Sequence, residues 1–361
     1  MNTIFQHPIR LLHCLACLDR GGAETFIMNV YRGIDRSQIQ FDFLYSFDGV
    51  YKDEIEQLGG HLYQIPFITQ CGPFAYRKHV MQVLSAHPEY TIIHSHMDKF
   101  SGLIMECAKK QNIPVRIAHS HSTKNEGGFL FQLVKNYYGN KILKYCTDKF
   151  ACSDQAAAWL FKNHTSDAVI VKNGIDLTHY SGQDHRDPNS FTICAIGRFV
   201  PVKNHDFLID VFAELHRMDS SSRLVLAGSG VLMDTIQQKV NDLHLTDYVT
   251  FLGDCNDIPH LLEKVDVLCM HSLFEGLGIV TIEAQAAGVP CVVSNTIPPE
   301  INITDSVSFL SLHDSPVIWA HELLSHKGKT KPDNRALVTS HGYNITSTIS
   351  QLQQFYLTHQ V

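Results

Sequence analysis

From one end of the chain to the other, short and nearly continuous apolar runs alternate with longer stretches whose apolar residues recur at every third or fourth position. Runs of the first kind read as strands buried on both faces, and stretches of the second kind as amphipathic helices. The first half carries the strand-like runs IRLLHCLACL, QFDFLYSF, HLYQIP, YTIIHSH, VRIAHSH, DKFACS and AVIVKNG. Between them, residues 24–33, 51–58, 76–86 and 102–110 have helical spacing. Strand–helix–strand order repeated in this way predicts a parallel sheet with helices on both faces.

The polar segment SGQDHRDPNS, residues 181–190, interrupts the alternation, which then restarts with FTICAIGRF, RLVLAGSG, YVTFLG, DVLCMHS, CVVSN and VSFLSL. A second polar spacer, HKGKTKPDNR, precedes a terminal helical stretch, NITSTISQLQQFYLTH. The pattern predicts an α/β protein of two Rossmann-like, doubly wound domains, residues 1–180 and 181–335, followed by a terminal helix within 336–361. Such sheets bind ligands beyond the carboxyl ends of their strands, so a cleft between facing carboxyl edges is the expected site.

A length of 361 residues suits two domains, and 44% hydrophobic with 18% charged residues is the balance of a soluble globular protein. No apolar run approaches the roughly 20 residues a bilayer span needs. The N-terminal residues lack a cleavable pattern, since Arg10, His13 and Asp19 interrupt them, so a cytoplasmic location is expected. The ten cysteines are scattered, and Cys14 and Cys17, the one C-x-x-C pair, sit in a strand-like run where small core residues are the plainer reading. The net charge of −7 is uneven: residues 1–180 carry 18 Lys and Arg against 16 Asp and Glu, and residues 181–361 carry 11 against 20. Two halves with different partners follow from that asymmetry, and the lack of a basic run argues against nucleic acid.

The chemistry concentrates in SLFEGLGIVTIEAQAAGVPCVVSN, where Glu275 and Glu283 stand eight residues apart around Gly276, Leu277 and Gly278. A helix starting near Gly278 and Ile279 would present unpaired N–H groups and the positive end of its dipole, an anion site. Neither carboxylate would lie on a phosphate, but each could accept hydrogen bonds from ligand hydroxyls. A capped helix with one exposed glutamate is the plain alternative. Earlier, AIGRFVPVKNHDFLID sets Arg198 and Lys203 after a strand and before a helix, an arginine fork and a lysine point charge suited to a diphosphate.

GRFVPVKN, LAGSG and FEGLGIVTIEAQAAGVP, in this order and spacing, resemble the retaining glycosyltransferases of family 4, and VKNGID, GGAET and the terminal helix extend the likeness over nearly the whole chain. The resemblance implies the GT-B architecture, with the terminal helix returning to the N-terminal domain. It implies that Arg198 and Lys203 hold the donor diphosphate and that the amides of Gly276, Leu277, Gly278 and Ile279 meet its phosphates. Glu275 would bind hydroxyls of the transferred sugar and Glu283 the ribose. Gly228 and Gly230 would let the nucleotide lie close to the chain, and Gly21 and Gly22 would face the phosphate or the acceptor. Leu277 departs from the family's frequent phenylalanine.

Two triplets, His94-Ser95-His96 and His119-Ser120-His121, each end a predicted strand. Alternation puts both histidines of a triplet on one side, as metal ligands would be, but no Asp-x-Asp triplet and no further ligand set is visible in the sequence. The resemblance implies one histidine near the transferring sugar, with His119 the better match and His121 the alternative, while His94 and His96 are expected on the acceptor side. No metal or cofactor is expected, because Arg198, Lys203 and the helix start would stabilise the departing diphosphate. The aromatic and basic stretch FLFQLVKNYYGNKILKY, with Lys135, Lys141 and Lys144 and then Lys149, makes peripheral contact with an anionic membrane a hypothesis.

The run HSHSTKNEGG looks like enzymes of capsule or exopolysaccharide synthesis. The expected activity is metal-independent, retaining transfer of a hexose or N-acetylhexosamine from a nucleotide-diphosphate sugar, most plausibly UDP-linked, to a glycan or lipid-linked glycan acceptor. The alternatives are a GT-B sugar-nucleotide epimerase, a non-catalytic sugar-nucleotide binder, or a metal-dependent hydrolase built on the histidine triplets.

Overall fold

The computed structural model describes residues 8–124, 128–180, 182–255 and 257–359; residues 125–127 of the HSHSTKNEGG run and Ser181 at the predicted boundary lie outside these. Each apolar run becomes a parallel strand. The first sheet contains β1 (Ile9–Cys14), β2 (Ile39–Tyr45), β3 (Leu62–Gln64), β4 (Ile92–Ser95), β5 (Val115–Ser120), β6 (Asp148–Ala151) and β7 (Ala168–Ile170), in the order β3-β2-β1-β4-β5-β6-β7. The second contains β8 (Phe191–Ile196), β9 (Ser222–Ala227), β10 (Val249–Gly253), β11 (Val267–Met270), β12 (Cys291–Ser294) and β13 (Val307–Leu310), in the order β10-β9-β8-β11-β12-β13. Strand order reverses between β1 and β4 in one sheet and between β8 and β11 in the other. There the crossovers leave on opposite faces, and a crevice opens at the carboxyl edge. The fold is thus the predicted one, two doubly wound parallel sheets of the GT-B class.

The compact units are residues 1–174 with 345–361, and residues 175–344, so both boundaries differ from the predicted 180/181 and 335/336. Polarity misplaced them. Residues 182–190 are a solvent-facing loop of the second unit, where Arg186 pairs with Asp266 at 2.8 Å. Ahead of that loop, Ile175, Leu177 and Tyr180 are buried, and Ile175 donates its N–H to the Tyr343 carbonyl at 2.8 Å. Past Lys331, the buried Val338 and Tyr343 keep residues to 344 in the second unit. The terminal helix, Ile345–Thr358, packs Ile345, Leu352 and Tyr356 into the core formed by Tyr31, Phe41 and Phe43. The chain enters beside it at Gly174, where a Cβ would sit 2.6 Å from Thr348 Oγ1 and 2.7 Å from Ile345 Cα.

The helix predicted over 76–86 begins earlier, at Ile68, and bends at Gly72 (φ +77°) ahead of Pro73, which has no N–H to continue the ladder. The bend pushes Phe74 outward until it is 89% exposed.

Candidate active site

At the switch point of the second sheet, the loop after β8 and the loop after β11 are tied together. Leu273 donates its N–H to the Val202 carbonyl at 2.8 Å, and Asn204 Nδ2 to the His271 carbonyl at 3.2 Å. Across this seam Lys203 Nζ donates to Glu275 Oε1 at 2.6 Å, both side chains being mostly buried. Arg198 stands on the same loop, exposed and with no protein partner among the described residues. The sequence assigned Lys203 to phosphate and Glu275 to sugar; the fold pairs them, because opposite charges removed from water on adjoining loops neutralise each other.

The helix Ile279–Ala286 starts where expected, with Gly278 at φ +85° turning the chain into it and Thr281 Oγ1 donating to the Gly278 carbonyl at 2.6 Å. A left-handed residue this close to Met270 Sδ, 3.2 Å from a would-be Cβ, has to be glycine. Leu277 is buried, so the departure from phenylalanine leaves the loop anchored. Glu283 Oε1 accepts a hydrogen bond from the Tyr180 hydroxyl at 3.2 Å, and burial pushes the carboxyl up to about 7.

Gly228 and Gly230 have a nearer task than the one assigned to them. A Cβ at Gly228 would lie 2.1 Å from the Gly197 carbonyl oxygen, and one at Gly230 2.6 Å from that of Phe199. Both glycines therefore let the arginine loop close onto the β9 loop, backbone on backbone. Gly22 begins the helix Gly22–Gly33 after β1, and a Cβ there would meet nothing within 4 Å, whereas one at Gly21 would lie 2.2 Å from Glu24 Oε2, so the Glu24 carboxylate sits against the helix start.

At the switch point of the first sheet five imidazoles stack in one cluster. His13 Nδ1 lies 3.0 Å from His96 Nε2, and His96 Nδ1 lies 2.8 Å from His121 Nε2. His94 Nε2 lies 3.0 Å from His119 Nδ1, and His94 Nδ1 lies 2.7 Å from the Tyr356 hydroxyl. His119, the sequence's choice for the reacting sugar, is sealed at 0% exposure with Phe26, Phe150 and its sister rings around it. It belongs to the strand, whereas His121 follows the strand end and is partly exposed. His94 and His96 are likewise enclosed. Burial holds His94, His96 and His119 well below the usual imidazole range, and all are neutral at physiological pH.

Sequence reasoning missed His13, Tyr180 and Tyr356. His13 had a usable signal, a lone imidazole inside an otherwise apolar strand. Tyr180 and Tyr356 had none, because each meets its partner only across the fold.

The helix Phe129–Tyr145 is less basic at its surface than its sequence suggested. Lys141 pairs with Glu106 at 2.8 Å and stacks over Tyr137, and Lys149 pairs with Asp167. What it exposes is apolar. Leu133 (50%) and Tyr137 (59%) join Phe74 along a groove of about 450 Å³ that Pro73, Arg77 and Val134 complete. Among the described residues, no helix is long and apolar enough to cross a membrane.

Residues 20–179 match the family described as Glycosyltransferase Family 4, and residues 179–308 match Glycosyl transferases group 1. The chain is 33% identical over 368 residues to glycosyltransferase EpsF of Bacillus subtilis (strain 168), with 96% of each chain covered. It is 26% identical over 231 residues to the UDP-Gal:alpha-D-GlcNAc-diphosphoundecaprenol alpha-1,3-galactosyltransferase of Escherichia coli, covering 57% of this chain and 58% of that one. Among solved structures, Anabaena Alr3699/HepE in complex with UDP and glucose shares the fold at a TM-score of 0.80 and 18% identity, over 97% of this chain and 99% of that chain. With the E-x7-E glutamates, Arg198 and the Gly278 turn gathered on one sheet edge and a full-length relative beyond 30% identity, the chain belongs to glycosyltransferase family 4 and is a glycosyltransferase of the GT-B type.

Proposed function

We propose that the protein transfers a hexose or N-acetylhexosamine, with retention, from a UDP-linked donor to a lipid-linked glycan acceptor in capsule or exopolysaccharide synthesis. The observation that carries this reading is the convergence of an unpartnered Arg198, Lys203 and the open helix start at Ile279 on one sheet edge, all positive and all within a tied pair of loops. As the anomeric C–O bond breaks, charge grows on the leaving diphosphate. Preorganised donors there stabilise the transition state more than the ground state and take the part a divalent ion takes elsewhere. Glu275 then exchanges its bond to Lys203 for hydroxyls of the sugar, and Glu283 accepts from the ribose. Retention and the choice of UDP rest on family membership and on the UDP-binding and UDP-galactose relatives. A thermal-shift series tests the reading: UDP at 100 times its Kd adds about 2.7 kcal/mol of stability and raises Tm. GDP does so weakly, and Mg2+ does not alter the UDP shift. No shift with any nucleoside diphosphate would overturn it.

On the acceptor side His121 is the reachable histidine, with His94, His96 and His119 behind it. The apolar strip of Phe74, Leu133 and Tyr137 suits peripheral contact with a membrane that carries the lipid acceptor. Wild-type protein is expected to float with anionic liposomes, and the double variant F74D/Y137D to stay in the lower fractions while keeping its UDP-induced Tm shift. Equal flotation of the two proteins would remove this part of the proposal.

A further inference from the structure

The histidine cluster contains more than the transfer reaction uses. Three of its ring nitrogens, His13 Nε2, His119 Nε2 and His121 Nδ1, are buried with no hydrogen-bond partner among the described residues. Buried polar atoms in native proteins are nearly always satisfied, and a concentration of exceptions in one place marks a missing water, proton or ion. His96, His119 and His121 each offer a ring nitrogen such that all three lie within 4.8 Å of one another, close to the spacing of ligands around one small cation.

We propose that His96, His119 and His121 bind one divalent transition ion of the zinc class, through His96 Nδ1, His119 Nε2 and His121 Nε2.

The hydrogen bonds already in place select the atoms of His96 and His119, and His121 offers Nε2, the nitrogen that faces His96. His119 Nδ1 faces His94, which leaves Nε2 as the ligand. His96 Nε2 faces His13, which leaves Nδ1, the atom now 2.8 Å from His121 Nε2. Ligating histidines characteristically donate their second N–H to a partner that fixes tautomer and ring angle. With the ion bound, His96 Nε2–H would donate to His13 and His119 Nδ1–H to His94, which would in turn donate to the Tyr356 hydroxyl, across contacts of 3.0, 3.0 and 2.7 Å. Each ring is neutral with one proton before and after the ion enters, so binding shifts tautomers and releases no proton. The proton now shared by His96 and His121 moves to an outer nitrogen. Zinc–nitrogen bonds of about 2.0–2.1 Å in tetrahedral array put ligand nitrogens about 3.3 Å apart, so the His96–His121 pair opens by about half an ångström. Three imidazoles leave a fourth position for water or a substrate oxygen. The other buried trio, His13, His94 and His96, is a poorer site, because both nitrogens of His94 face groups outside that trio, the Tyr356 hydroxyl and His119, whereas His96 Nδ1 faces a fellow ligand. The proposed ion has no part in diphosphate departure, and the inference stands independently of the donor reading.

The test uses tag-free, full-length protein. Wild type dialysed after exposure to Zn2+ is expected to retain one equivalent by atomic emission, and Co2+ to give the intense visible bands of a tetrahedral site. H121A and H119Q abolish the Co2+ bands. H13Q, which only loses the ring orienting His96, weakens Co2+ binding by about 10- to 100-fold. H185A/H260A, which dismantles the exposed His185, His260 and Glu263 group, leaves the bands unchanged. The UDP-induced Tm shift reports that each variant is folded, and H121A, at the strand end with surface exposed, is the one expected to fold most readily. No retained Zn2+ and no Co2+ bands in wild type, or bands that persist in H119Q/H121A, would overturn the proposal.

Discussion

Replacing Arg198 with alanine lowers sugar transfer by about 100- to 1,000-fold in kcat, the range seen when one preorganised donor to a developing oxyanion is removed, about 2.7–4 kcal/mol. Arg198 is exposed and unpartnered, so its loss leaves no buried charge behind and the fold should be undisturbed. Lysine at 198 restores only part of the rate, because a point charge cannot grip two oxygens as the guanidinium fork does. Lys203 behaves differently. Its removal takes the opposite charge away from a mostly buried Glu275, so K203A costs stability as well as rate, and Glu275→Gln is the cleaner probe of the pair. E275Q should keep UDP affinity within a few-fold while losing transfer, a split between binding and kcat that a merely structural glutamate would not give. Transfer kinetics with circular dichroism as a fold check decide the matter. An R198A enzyme within tenfold of wild type would remove the electrostatic account of leaving-group departure.

Donor affinity should strengthen as pH rises through 7 and level off above it. In the proposed role Glu283 accepts two ribose hydroxyls best as a carboxylate, and burial holds its carboxyl protonated up to about 7 in the free protein. Below that pH a proton must leave when the nucleotide binds, so Kd weakens by up to tenfold per pH unit. Folding stability responds in the opposite sense. The unfolded chain ionises this group near 4.5 and the folded protein near 7, so the folded state holds more protons between those values. Glu283's contribution is therefore complete below 4.5, declines as pH climbs to 7, and stays constant beyond. Calorimetric titration with a UDP-hexose, whose diphosphate carries no titrating proton in this range, isolates the effect. His205, held down to about 4 by burial, stays neutral throughout. E283Q should flatten the pH profile. Tyr180→Phe, which removes a hydrogen bond that favours the charged form, should move the inflection to higher pH. A wild-type profile flat from pH 6 to 8 would mean that Glu283 does not contact the donor as an anion.

The layers of this protein were legible in its sequence because burial on both faces of a parallel sheet leaves an unbroken apolar run, and every such run proved to be a strand. The candidate site on the second sheet was legible for a related reason. Its parts lie at strand ends a short way along the chain, where Gly278 has to be glycine to turn into the helix and Arg198 follows its strand directly. Polarity was a poorer guide to domain limits. A solvated loop and an interdomain linker have the same composition, and only the burial of Ile175 and Tyr180 separates them.

What tertiary structure alone decided are the pairings between distant residues. Lys203 meets Glu275, Tyr180 meets Glu283, and Tyr356 meets His94 from a helix more than 250 residues downstream. Periodicity along a strand says which side a residue faces and not which strand lies next to it. The two histidine triplets could be seen in the sequence, but strand order brought His13 beside them and turned two motifs into one cluster of five rings. Placement also left His119 fully enclosed and His121, just past the end of its strand, partly exposed.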